Sequence, residues 1–300
     1  MGKISVVINT LNEEKNLPGA LASVKDFAGE VVVVDMYSDD DTVAIAKRFG
    51  AAVYEHKRTG YVEPARNYAI EKATGDWILI LDADEKITKI LADKLKQIAV
   101  DVRSADYYRI PRKNIIFGKW IKHSRWWPDY NIRFFKKNCV VWSEIIHSIP
   151  VTQGTGADLD VLEDNAIVHT NYTTIDQYID RLNRYTTHQT LVLLKSGYKF
   201  SWTDLIKEPI EEFVGRYFQG EGYKDGVHGL ALSILQAFSE LVLYLKIWQK
   251  EEFEEKNITI TKISGEIKNA QKAINYWVAD AQFKEKGGVI QKLKRRFKLI

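Results

Sequence analysis

The sequence predicts an α/β protein, a parallel sheet wound by helices on both faces, followed by a mostly helical C-terminal region. Three observations predict it. Residues 3–8, 30–35 and 77–82 are short, continuous, β-branched apolar runs with the character of strands buried on both faces. Segments of helical spacing alternate with them, the order that builds a doubly wound sheet. Beyond Thr173 the strand signal gives way to long helical segments.

The elements follow in order. Residues 13–27 carry Leu17, Leu21 and Val24 at helical spacing, and residues 41–49 read as a helix ended by Gly50. A third strand is expected over 51–54. A helix over 64–73 stops before Gly75, and the strand 77–82 leads to Thr88, which caps a helix running to about 99. Residues 105–150 are short strand-like pieces rich in aromatic and basic side chains, with Gly154, Gly156 and a strand near 166–169 after them. Helices are expected over 174–194, 202–218, 227–249 and 264–284. Gly287 and Gly288 hinge the last of these to a basic amphipathic tail that includes Lys292, Lys294, Arg295, Arg296 and Lys298.

Composition narrows the function classes. With 300 residues and 45% hydrophobic content the chain can fill a substantial core, so disorder is excluded as the default, and the net charge of +3 selects no polyanionic partner. One cysteine, Cys139, excludes an internal disulfide and a cysteine-built zinc site; it is expected inside a buried strand over 139–142. No secretory leader is read at the N-terminus. The most apolar stretch, 229–248, is interrupted by Gln236, Glu240 and Lys246, and is expected to be buried in the fold or in a dimer interface.

Four motifs carry chemistry. Asp82-Ala-Asp84-Glu85 leaves a buried strand at its carboxyl end, where open α/β sheets bind ligands. On an extended chain two carboxylates two residues apart point to one side and can share a hard cation that bridges a departing diphosphate. Asp35 leaves the second strand, suited to accept hydrogen bonds from a nucleobase or ribose, while Asp40 or Asp41 can cap the following helix. Thr10 and Glu13 follow the first strand and can border a nucleotide; Asn12 can cap a helix. Arg66, in Ala65-Arg-Asn67, can fork onto phosphate or a base edge.

Residues 5–14, Val32-Val-Val-Asp35 with Ser38 and Asp41-Thr42, Ala65-Arg-Asn67, and 75–85 resemble, in order and spacing, the family two glycosyltransferases of GT-A fold. The likeness is to the bacterial branch that includes lipopolysaccharide core glucosyltransferases and extends over residues 1–250. It implies a Rossmann-like GT-A nucleotide-sugar domain at 1–172, with a donor half at 1–104 and an acceptor half at 105–172, before a helical region at 173–300. It also implies an inverting transfer of a hexose from a nucleotide diphosphate sugar, usually UDP-linked. Thr10, Glu13 and Asp35 would line the uridine pocket, with Arg66 on the nucleotide, Asp82 on the donor, and Asp84 assisted by Asp82 holding Mn2+ or Mg2+. The branch commonly carries Val-His-Glu after its aromatic–basic segment. Here 143–148 reads Ser-Glu-Ile-Ile-His-Ser, so Glu144, Asp129 and His147 are the candidates for the base that inversion needs.

Trp126, Trp127, Arg125 and Arg133 are the expected acceptor contacts, through stacking on a sugar or pairing with phosphate. The expected acceptor is a cell-envelope glycolipid or saccharide. The tail and C-terminal helices suggest peripheral contact with the inner face of the cytoplasmic membrane, and a homodimer is a further expectation. The aromatic–basic segment could also stack on single-stranded nucleic acid, but the balanced charge and the acidic cluster argue against that partner. Two other functions stay open on sequence alone. A nucleotidyltransferase would need a basic glycine-rich phosphate loop that 9–16 lacks, and a catalytically degenerate sugar- or lipid-binding protein would keep the scaffold.

Overall fold

The β-branched runs become the parallel half of a sheet. β1 (Ile4–Thr10) pairs in parallel with β2 (Glu30–Asp35), which pairs in parallel with β3 (Ala52–Glu55); β4 (Trp77–Ile80) returns to the other side of β1. α1 (Leu17–Val24), α2 (Thr42–Arg48) and α4 (Lys89–Val100) bury Leu17, Leu21, Ile45, Leu91 and Leu95 against Val6, Ile8, Val33 and Leu79 on one face. α3 (Glu63–Lys72) buries Ala69 and Ile70 against Val7, Val32, Ile78 and Ile80 on the other. Thr88 caps α4 as expected, its hydroxyl accepting from Leu91 N at 3.0 Å.

The computed structural model describes residues 2–58, 63–142 and 150–286. Its chain forms two compact units, Met1–Ile115 with Pro128–Asn171, and Ile116–Trp127 with Tyr172–Ile300. In the first unit β5 (Glu85–Lys86), β6 (Tyr107–Ile116), β8 (Asp129–Lys136) and β12 (Ile167–Tyr172) extend the sheet with antiparallel pairs, in the order β3-β2-β1-β4-β8-β6-β12-β5. β11 (Gly156–Asp158) lies on β6, and β9 (Val140–Val141) pairs with β10 (Val151–Thr152) in a separate small sheet. Strand order reverses at β1, so the carboxyl ends of β1, β2 and β4 border the crevice where such sheets bind ligands.

The second unit contains β7 (Lys119–Trp120), α5 (Ile175–Lys195), α6 (Asp204–Val214), α7 (Val227–Lys250) and α8 (Ile260–Lys286). Its core gathers Ile116, Ile121, Tyr172, Tyr178, Leu182 and Leu232.

Three expectations change. The helix expected over 13–27 begins only at Leu17, because 12–14 bonds across to the loop after β2: Asn12 N donates to Ser38 Oγ at 2.8 Å and Glu14 N to Asp40 Oδ2 at 3.1 Å. Cys139 is half-buried rather than inside a buried strand, since β9 is two residues long and Val141 is exposed. α7 is long and apolar enough to cross a membrane by length and composition, and only 22% of its most apolar stretch is buried within the fold. It packs on α5 and α6 and leaves Val227, Leu230, Ile234, Phe238 and Leu245 exposed.

Phe134 on β8 is fully buried and stacks on Trp77 with ring centroids 4.6 Å apart. Phe134→Ala should lower stability by about 3–5 kcal/mol, read from the urea midpoint followed by circular dichroism.

Candidate active site

Three strand ends, those of β1, β2 and β4, meet at the crevice. At β1 and β2, Thr10 Oγ1 donates to Asp35 Oδ1 at 2.9 Å, and Ser38 donates to both Asp35 oxygens, from N at 2.8 Å and from Oγ at 2.6 Å. Asp35 is 1% exposed, so this network orients a buried carboxylate at the strand tip. Glu13 N donates to Thr42 Oγ1 and Glu13 Oε2 accepts from Asn16, which ties the two loops together. Asp40, not Asp41, takes the amide of Thr42 at the start of α2, and Asn12 caps no helix.

Beyond β4 the chain turns at once. Glu85 N donates to Asp82 O at 2.9 Å and Asp82 N to Glu85 Oε2 at 2.9 Å, closing a turn over Asp82-Ala-Asp-Glu85. An extended chain would have pointed Asp82 and Asp84 to one side; the turn sends them to different partners. Asp82 accepts from Arg66 Nη2 at 3.0 Å and from Arg133 Nη2 at 2.6 Å. Arg133 Nη2 also donates to Glu85 Oε1 at 2.8 Å. Arg133 is 3% exposed and Glu85 0%, so Arg133, expected on the acceptor, instead lies beneath the turn as a brace. Its Nε and Nη1 are buried without a hydrogen-bond partner among the described residues. Burial alone would raise the carboxyl pKa of Asp82, but Arg133 and Arg66 hold it far below the usual carboxylate range.

Asp84 faces His169. Their registers explain it: His169 on β12 stands opposite Glu85 on β5, and Thr170 N donates to Asp84 O at 2.9 Å. His169 Nε2 lies 3.5 Å from Asp84 Oδ2. On its other side His169 Nδ1 is 2.7 Å from Asn114 Oδ1, while Asn114 Nδ2 donates to Asp129 Oδ2 at 3.1 Å. With its amide nitrogen on Asp129, Asn114 offers His169 Nδ1 an acceptor, which turns Nε2 to Asp84: an ion pair when the ring is protonated, two electron-pair donors when it is neutral. Two electron-pair donors this close suit a cation between them.

Asp129 sits opposite Arg112 in the β8–β6 register and accepts from it at 2.6 Å. Burial would raise the Asp129 pKa; Arg112 and Asn114 outweigh it and lower it. A carboxylate so held is a weak proton acceptor. Glu144 and His147 lie outside the described residues.

Arg112, Asn114 and His169 were not singled out from sequence. A signal existed: Asn114 on β6, and His169 and Asn171 on β12, are polar residues on buried strand faces.

The other acceptor candidates belong to the second unit. Trp126 lies under the Arg216 guanidinium at 5.6 Å, and Trp127 meets Trp120 edge-on at 5.3 Å. Ser124 and Arg125 both have positive φ, 60° and 66°, a backbone strain held by Ser124 N bonding to Gly220 O at 2.7 Å. Arg125 pairs with Glu212 at 3.4 Å and lines a cavity of about 560 Å³ with Glu208, Glu240 and Trp277.

The family model for glycosyl transferase family 2 matches residues 5–159, the strands and turns just described. The chain belongs to this family. It is 32% identical to an uncharacterised glycosyltransferase of Rickettsia typhi, over 82% of this chain and 87% of that protein. The lipopolysaccharide core biosynthesis glycosyltransferase LpsC of Rhizobium meliloti is 25% identical over 82% of this chain and 92% of its own length. Among solved structures, glucosyl-3-phosphoglycerate synthase from Mycobacterium tuberculosis, in complex with Mg2+ and UDP, is similar with a TM-score of 0.32 and 23% identity, covering 39% of this chain and 44% of that one. The protein is therefore a glycosyltransferase, with the α/β fold and helical C-terminal region expected from its sequence.

Because the folded pKa of Asp129 is depressed, its stabilisation is present above the unfolded value of about 3.9 and is lost as pH falls below it. Asp129→Asn should therefore be less stable than the parent at pH 6, and the gap in urea midpoint should shrink steadily between pH 4 and pH 2.5.

Proposed function

We propose that this glycosyltransferase moves a hexose from a UDP-linked donor, with inversion and with the help of Mn2+ or Mg2+, to a hydroxyl of a cell-envelope saccharide or glycolipid. The observation that carries the metal dependence is the Asp84–His169 pair, a carboxylate oxygen and an imidazole nitrogen 3.5 Å apart, both of them atom types that ligate divalent cations. Two protein donors suit a hard cation that takes its remaining ligands from water and a diphosphate. The bound cation would neutralise charge growing on the departing diphosphate. Asp82, engaged by Arg66 and Arg133, would address the donor, and Thr10, Asp35 and Ser38 would border its nucleoside.

Inversion is a single displacement. The acceptor oxygen attacks the anomeric carbon while its proton passes to a carboxylate, and the bond from carbon to the phosphate oxygen breaks, its electron pair leaving with UDP. Asp129 is held by Arg112, which favours Glu144 as the base. Glu144 follows two residues after Trp142, whose ring lies beneath Arg66.

The LpsC name supports an envelope saccharide as acceptor. The cavity beside Arg125, with carboxylates and the Trp277 wall, has the polar and aromatic character that a hydroxylated ligand uses. The exposed apolar residues of α7 and the basic composition of 292–298 support peripheral contact with the cytoplasmic membrane face.

Asp84→Asn should lower UDP release from UDP-sugar at least about 100-fold, and His169→Ala should raise the Mn2+ concentration needed for half-maximal turnover. Chelation should silence the parent enzyme and added Mn2+ should restore it. Full turnover in EDTA, or in Asp84→Asn, would refute the metal assignment.

A further inference from the structure

Asn67 adjoins Arg66 in Ala65-Arg-Asn67 but points to a different partner. Its side chain makes a reciprocal pair with one distant peptide unit: Nδ2 donates to Trp142 O at 2.7 Å, and Trp142 N donates to Asn67 Oδ1 at 2.9 Å. Trp142 lies just past β9, whose ladder ends at Val141, so the Asn67 amide serves both backbone groups of Trp142 where strand pairing has stopped. Two opposed bonds fix the orientation of that residue as well as its position. The Trp142 ring is buried near Phe135, with centroids 5.7 Å apart, and the Arg66 guanidinium stands 5.8 Å from the Trp142 ring centre. Arg66 in turn reaches Asp82 at 3.0 Å.

The chain of contacts runs from Asn67 to the Trp142 backbone, from the Trp142 ring to Arg66, and from Arg66 to the donor carboxylate. α3 thus supplies both the arginine and the clamp that holds the arginine's aromatic platform. We propose that Asn67 is a positioning residue for donor binding, acting through Trp142 on Arg66. This rests on the assignment of Arg66 to the UDP-sugar site. Aspartate cannot replace Asn67, because a carboxylate would face the Trp142 carbonyl with no proton to donate.

The test is a double-mutant cycle on the full chain, with UDP in the presence of Mn2+ titrated calorimetrically. Asn67→Asp should weaken UDP binding about fivefold to tenfold, in keeping with the loss of an oriented cation–π contact. Trp142→Leu, which keeps both backbone bonds but removes the aromatic face, should weaken it to a similar degree. Asn67→Asp added to Arg66→Gln should cost nothing beyond Arg66→Gln alone, since the effect passes through the arginine. A purely structural role for Asn67 would give additive losses, and additive losses or unchanged binding in Asn67→Asp would overturn the proposal. A parent enzyme that fails to bind UDP with Mn2+ would instead overturn the assignment of the UDP-sugar to this site.

Discussion

The site depends on one buried ion cluster, Arg133 between Asp82 and Glu85. A guanidinium 3% exposed is costly unless carboxylates surround it, and here a single Nη2 meets two of them. Burial would lower the Arg133 pKa, but Asp82 and Glu85 raise it above the ordinary arginine value, so the charge is permanent. The brace also sets backbone geometry. Glu85 holds Asp82 N with one oxygen and Arg133 with the other, so the turn after β4 has one shape. Every later contact of Asp82 and Asp84 follows from that shape.

That turn divides the labour between two aspartates that look equivalent in a list of residues. Asp82 is drawn between Arg66 of α3 and Arg133 of β8, where positive charge is concentrated. Asp84 meets an imidazole whose other nitrogen is held by Asn114, which is itself bonded to Asp129. Arg112 closes the circuit, reaching Asp129 at 2.6 Å and Glu85 at 3.5 Å. The network therefore runs from the arginine side to the imidazole side without leaving the first unit, and the acid that orients His169 is the same one that Arg112 holds. Such a network couples the orientation of each member to the rest.

The helical unit obeys other constraints. Its strained Ser124–Arg125 step is held by bonds from Gly220 and Arg216, and the aromatic residues around it are packed against each other and against Arg216. A basic, aromatic-rich stretch can thus be partly structural while still placing Arg125 at a cavity wall. Glu240 in that wall has a raised pKa because it is half-buried and close to the charges of Glu212 and Glu208.

The amino-acid sequence by itself determined the parallel strands, the helices between them, the cap at Thr88 and the position of the acidic motif at a strand exit. These are local matters, written in period, β-branching and turn residues within short windows. Thr10, Asp35 and Ser38 also converge as strand-end residues should, because adjacent parallel strands bring their carboxyl ends together. What only the tertiary structure decided was pairing at long range: that β8 returns against β4 and carries Arg133 under the turn, and that β12 sets His169 opposite Glu85. In these two pairings antiparallel register links residues 55 to 84 positions apart, and no local pattern specifies which buried arginine meets which carboxylate. Whether Asp82 and Asp84 share a direction was likewise a question of turn against strand, settled by a side chain, Glu85, that bonds back onto the chain three residues before it.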